Sequence, residues 1–144
     1  AHTTLALANV YGPRQDPHGE AGVVAIFARS LLAGAPCIVY GDGQQTRDFV
    51  HVADVARAFV AAMDSGDGQL LNIGTGVETS VNGLYSAMAE AAGGPAEPQR
   101  APERPGEVKR SALDASAAAG SLRWEPSLGL TDGVVDTLGW FGWR

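Results

Sequence analysis

Arg47 is the residue with the most chemical promise in this chain of 144 residues. It closes the run Tyr40-Gly41-Asp42-Gly43-Gln44-Gln45-Thr46-Arg47, with an aromatic ring before a glycine turn and an obligate cation after it. A ring can hold a flat base by stacking, and a guanidinium can hold a phosphate through forked, charge-assisted hydrogen bonds. The same run also reads as a β-hairpin bearing a surface arginine, since glycine turns and exposed arginines are common. Arg14 and Arg104 likewise stand beside turns rather than on helix faces. Other chemistries are thinly supplied. His2, His18, His51 and Cys37 are scattered, without the pairing that a metal site needs. Gly41-Asp42-Gly43 and Gly74-Thr75-Gly76 each give only part of a dinucleotide-binding glycine loop. A cofactor pocket built wholly within this chain is therefore not expected, although each glycine turn follows a short apolar strand, where ligand loops sit in open α/β sheets.

The elements that must carry these residues can be read in order. Thr3 to Val10 is β-branched and apolar and predicts a buried strand, ended by turn residues through Arg14. Gln15 to Gly22 is a polar loop. Val23, Ile26, Phe27 and Leu31 recur at helical spacing and predict a helix over 23–33, stopped by Gly34 and Pro36. Strands are expected over Cys37–Tyr40 and Asp48–Val52. A helix from about Asp54 to Met63 has Val55, Phe59 and Met63 as its apolar stripe. Leu70 to Ile73 is a further strand. Thr79 or Ser80 caps a helix with the stripe Val81, Leu84, Met88 and Ala92. Pro98 to Pro105 reads as extended or irregular, Asp114 as the N-cap of a short helix through Gly120, and Leu130 to Trp143 as a final helix. The alternation of strands and helices predicts an α/β fold.

Composition limits the partners. A formal net charge of -6 argues against nucleic-acid binding, which depends on clustered positive charge. No apolar run approaches the roughly 20 residues that would cross a bilayer, and no signal peptide opens the chain. The single cysteine, Cys37, suits a reducing cytoplasm. The chain opens inside a strand, without Met, which suggests a piece of something longer.

Taken together, four motifs resemble the C-terminal part of an extended short-chain dehydrogenase/reductase acting on nucleotide sugars. They are Ala8-Asn9-Val10-Tyr11-Gly12-Pro13-Arg14-Gln15, then Tyr40-Gly41-Asp42-Gly43 with Thr46-Arg47-Asp48-Phe49-Val50-His51-Val52, then Asn72-Ile73-Gly74-Thr75-Gly76, then Ala101-Pro102-Glu103-Arg104-Pro105-Gly106-Glu107. Asp16 to Val24 is most similar to the bacterial UDP-glucose 4-epimerase branch, with dTDP-sugar dehydratases, other nucleotide-sugar epimerases and a noncatalytic binding module as alternatives. The resemblance implies a fold made of the last Rossmann strands plus the small substrate-binding α/β subdomain, across residues 1–144. It implies that Asn9 and Val10 lie near the nicotinamide end of NAD, and that Asn9 also nears the substrate diphosphate. Val23 and Val24 would offer backbone contacts to the nucleotide, Tyr40 would pack on uracil, Arg47 and Arg104 would neutralise the diphosphate, and Glu107 would accept from ribose hydroxyls. Phe49 departs from the family's common tyrosine, and Glu107 from its common aspartate. No Tyr-x-x-x-Lys pair occurs, because Tyr11, Tyr40 and Tyr85 are followed four positions later by Gln15, Gln44 and Ala89. The catalytic pair and the main NAD pocket would then lie in an N-terminal Rossmann part. The chain alone is expected to be inactive, with apolar faces left uncovered that could drive homo-oligomers.

Overall fold

The computed structural model describes residues 2–18 and 22–142. Gly19, Glu20 and Ala21, from the expected loop and the Asp16–Val24 motif, lie outside the described residues, as does Trp143. The elements in chain order are β1 (Thr4–Leu7), β2 (Asn9–Tyr11), α1 (Val23–Leu32), β3 (Ile38–Tyr40), β4 (Thr46–Arg47), β5 (Phe49–His51), α2 (Val52–Ala62), β6 (Leu70–Ile73), β7 (Thr79–Ser80), α3 (Val81–Ala92), β8 (Gln99–Ala101), α4 (Ser116–Leu122) and α5 (Leu130–Phe141). The α/β alternation predicted from the sequence is present.

The first apolar run divides at Ala8, because its two halves serve different partners. β1 pairs in parallel with β6, and β2 pairs in parallel with β5. β1 is not a buried strand as expected, and Leu7 is exposed. β3 pairs in parallel with β8, so part of the stretch expected to be extended or irregular is a strand. β4 pairs antiparallel with β7. The run from Tyr40 to Arg47 is thus no hairpin: the strands on either side of the glycine turn have different partners.

Two cores result. Phe27, Leu84, Tyr85, Met88, Val134 and Leu138 join α1, α3 and α5 beneath β2, β3 and β5. Val50, Val55, Leu71, Ile73, Leu122 and Trp124 join α2 and α4 to β1 and β6. The α3 stripe packs as its spacing predicts, and Ser80 caps that helix by accepting from the Gly83 amide at 3.0 Å.

The α2 stripe does not. Phe59 and Met63, expected inside, are exposed, while Asp54, Val55 and Ala58 are buried. This helix is apolar nearly all round, so side-chain size suggests one face and contacts select another. Asp54 decides the matter. Its carboxylate accepts from the Arg57 guanidinium at 2.6 Å, the Ser127 hydroxyl at 2.7 Å, and the Ser127 and Leu128 amides at 3.0 and 3.1 Å. The indole of Trp124 donates to the Asp54 carbonyl at 2.8 Å. A buried carboxylate with that many donors fixes which way the helix faces. Burial opposes the charge on Asp54, but the Arg57 and Ser127 side chains and the backbone donors outweigh it and hold the carboxyl below its ordinary pKa. At α4, Asp114 accepts from the Ser116 amide at 2.9 Å, yet the N-cap itself is Ala115, one residue later than predicted.

Candidate functional site

A cleft of about 490 Å³ opens between α1, β2 and β3 on one side and the segment after β8 on the other. That volume lies within the range of small-molecule sites. The seven residues assigned to substrate by resemblance, Asn9, Val23, Val24, Tyr40, Arg47, Arg104 and Glu107, all line it, together with Val10. Arg14 lies outside it.

Each wall has a local cause. Gly22 begins α1 without a side-chain cap, and its carbonyl accepts from the Ala25 and Ile26 amides. No hydrogen bond among the described residues uses the Val23 and Val24 amides. They belong to the first turn of the helix, where amides have no intrahelical acceptor, and both residues line the cleft. β3 delivers Tyr40, whose ring carries the Arg104 guanidinium at 3.8 Å from its centroid. This cation–π contact holds an otherwise mobile arginine over the aromatic face.

β4 delivers Arg47. Its Nη1 donates to the Thr46 and Val108 carbonyls, each at 2.7 Å, and its Nη2 lies 3.6 Å from Glu107 Oε1. One end of the guanidinium is therefore committed to the main chain, and the other sits beside Glu107. Gln45 donates to the Tyr40 carbonyl at 3.1 Å and to Glu107 at 3.4 Å, linking ring and carboxylate. Its type and place gave no advance sign of this, since glutamine in a turn is ordinary. Phe49, where the family commonly has tyrosine, is buried and lines the cleft floor.

The segment 102–113 forms a strap carrying Arg104 and Glu107. Gly41 donates to Ala101 at its root and Thr46 to Lys109 along its length, both at 2.9 Å. Lys109 pairs with Glu103, and Arg110 with Glu78 at 2.7 Å. The Arg110 and Thr46 side chains hold the Glu78 carboxyl down at about 2.

The glycine turns are held by polar contacts from elsewhere in the sequence. Gly41 and Gly43 have φ of 64° and 72°, conformations that favour glycine. The turn packs on the start of α3: Asn82 donates to the Asp42 carbonyl at 2.8 Å, and a Cβ on Gly43 would overlap the Asn82 side chain. In the second turn the Thr75 and Gly76 amides donate inward to Asp48 at 2.9 and 3.0 Å. The Thr75 and Gly76 amides are thus spent on Asp48 and are not offered to a phosphate.

The model of the NAD dependent epimerase/dehydratase family matches residues 2–74. The chain belongs to this family. It is 53% identical over 138 residues to the UDP-glucose 4-epimerase of Mycolicibacterium smegmatis, covering 95% of this chain and 44% of that protein. It is 37% identical over 135 residues to the dTDP-glucose 4,6-dehydratase of Actinoplanes sp., covering 92% and 41%. Its structure matches the UDP-glucose 4-epimerase of Thermotoga maritima, solved with UDP-glucose, at a TM-score of 0.94 and 48% identity, covering 96% of this chain and 45% of the other. The UDP-glucose 4-epimerase of Thermus thermophilus, solved with NAD, gives a TM-score of 0.87 at 42% identity, covering 96% and 46%. The fold is therefore that of extended short-chain dehydrogenases/reductases. The chain spans less than half the length of these relatives.

Proposed function

We propose that this chain is the substrate-gripping portion of an NAD-dependent UDP-glucose 4-epimerase. The observation that carries the reading is the convergence of Tyr40, Arg47, Arg104 and Glu107, from separate parts of the sequence, on one cleft. In this reading Tyr40 packs on the uracil. Glu107 accepts from the ribose hydroxyls, Arg47 and Arg104 share the diphosphate, and the Val23 and Val24 amides bind the nucleotide. The pairing of types is chemically apt: a diol donates to a carboxylate, and a dianion draws two guanidinium forks. Asn9 and Val10 face the junction where sugar and nicotinamide would meet.

Epimerisation at C4 needs oxidation and then re-reduction on the opposite face, with the sugar turning over in between. A firm hold on the remote UDP lets the hexose turn without loss of the intermediate. That hold is the role assigned to this chain. NAD and the catalytic Tyr-x-x-x-Lys pair are assigned to an N-terminal Rossmann part of the full-length enzyme. The outward face of α2, with Val52, Phe59, Val60 and Met63 exposed, is apolar surface that such a part would cover.

The test is turnover by the full-length protein containing this sequence. Interconversion of UDP-glucose and UDP-galactose is expected, with none from the 144-residue chain supplied with NAD. Loss of water from dTDP-glucose in place of UDP-sugar turnover would instead make the protein a dehydratase, the activity named for the Actinoplanes relative.

A further inference from the structure

Asp48 follows Arg47 directly and is 1% exposed, yet it lines no part of the cleft. Its Oδ1 accepts from the Thr75 amide at 2.9 Å and the Thr75 hydroxyl at 2.6 Å. Its Oδ2 accepts from the Gly76 amide at 3.0 Å and from the Leu113 amide at 3.2 Å. None of the ion pairs among the described residues includes it. A buried carboxylate without a cation depends entirely on such donors. Gly74 leaves the necessary room, since a Cβ there would overlap Oδ2.

The three segments joined here matter more than the bonds themselves. The backbone of Asp48 continues the strand that delivers Arg47, and its carbonyl accepts from the Asn9 amide at 2.9 Å. Thr75 and Gly76 end the turn after β6. Leu113 is the far end of the strap that carries Arg104 and Glu107. One carboxylate therefore joins the strand that carries Arg47 to the far end of the strap that carries Arg104 and Glu107, beyond the bonds that Thr46 and Arg47 make to the Lys109 and Val108 carbonyls.

We infer that Asp48 is a positioning residue for nucleotide binding, which tethers the strap so that both walls grip a nucleoside diphosphate at once. The inference rests on the cleft being the UDP site. Asn in place of Asp48 can still accept from Thr75 through its oxygen. Its amide then faces the Gly76 and Leu113 donors, and the strap loses its tether at Leu113.

The experiment measures UDP affinity calorimetrically in the full-length protein, at a temperature where each variant is folded. Asp48→Asn is expected to weaken UDP about tenfold, the scale of one charged hydrogen bond. In an Arg104→Ala, Glu107→Ala background, where the strap has nothing left to deliver, the same substitution should cost less than about twofold, the coupling expected of residues in one network. A purely structural role would give equal losses in both backgrounds, and that result overturns the inference. Hydrogen exchange in the unmodified protein gives a second readout if Asp48→Asn does not fold. Saturating UDP should slow exchange at the Leu113 amide, and an unchanged rate there overturns the tether. A wild-type protein that does not bind UDP removes the site reading and this inference together. Wild-type binding with unaltered Asp48→Asn affinity removes this inference alone.

Discussion

Asp48 and Asp54 are both buried carboxylates near the same strand, and they do opposite work. Asp54 has a cation, Arg57, and ties α2 to the segment leading into α5, away from the cleft. Asp48 has no cation among the described residues and ties two loops to the strand bearing Arg47. The first arrangement settles which face of a helix is inside. The second settles where loops stand relative to a ligand. Burial and charge alone do not distinguish them; the identity of the tethered segments does.

The largest expected effect falls on the Asp54 side. Asp54→Ala removes the carboxylate from four donors and should lower folding stability by about 3 kcal/mol or more, as measured by urea unfolding. UDP affinity of the folded fraction should stay as in wild type, and a parallel loss of affinity would erase the contrast. Because the Asp54 carboxyl is held below its ordinary value, this contribution is present above about pH 4 and is lost as the pH falls through the depressed value.

Next comes Tyr11, which is 2% exposed and packs edge-on to His51 at 5.3 Å between ring centroids. Burial first, then Asp54, Asp132 and Asp136, push its phenol up to about 12. Below pH 10 the phenol is protonated in folded and unfolded chains alike, and its stabilising effect is fully present. Between pH 10 and about 12 only the unfolded chain ionises, so stability should fall across that window, by roughly 2–3 kcal/mol. Tyr11→Phe should flatten the fall, and an unchanged alkaline profile in that variant would contradict the assignment.

Gly74→Ala sharpens the comparison from the Asp48 side. Its methyl would displace Oδ2, costing about 1–3 kcal/mol by overpacking and weakening UDP along with it. A stability loss with unchanged affinity would move Asp48 into the same class as Asp54. The smallest effect belongs to Met63, which is 80% exposed on the outer face of α2. Met63→Ala in the 144-residue chain should change stability by less than about 0.5 kcal/mol. In the full-length protein the loss should be larger, and equal effects would mean that nothing covers this face.

The sequence made some of this legible for physical reasons. α3 follows a single apolar stripe, and one stripe has one solution. The cleft residues stand in motifs whose order survives across the chain, so Tyr40, Arg47, Arg104 and Glu107 could be named before any fold was known. α2 was misread because it is apolar on two faces, and only Asp54's distant partners choose between them. Thr3–Val10 looked like one strand because local pattern does not show that its halves pair with β6 and β5. The place of the glycine turns after short strands does not show that Asp48 and Asn82 bond to them from elsewhere in the sequence. Long-range polar contacts leave no periodicity, and these account for what local pattern missed.

The central claim is that the cleft holds the UDP end of a nucleotide sugar between Arg47 and the strap. The most direct test is UDP-glucose binding by the full-length protein with Arg47→Ala and Arg104→Ala, each compared with wild type by calorimetry. The account predicts saturable binding in wild type and a loss of roughly tenfold or more in each variant, the scale of a severed charged hydrogen bond. Two folded variants that bind UDP-glucose as tightly as wild type would contradict it.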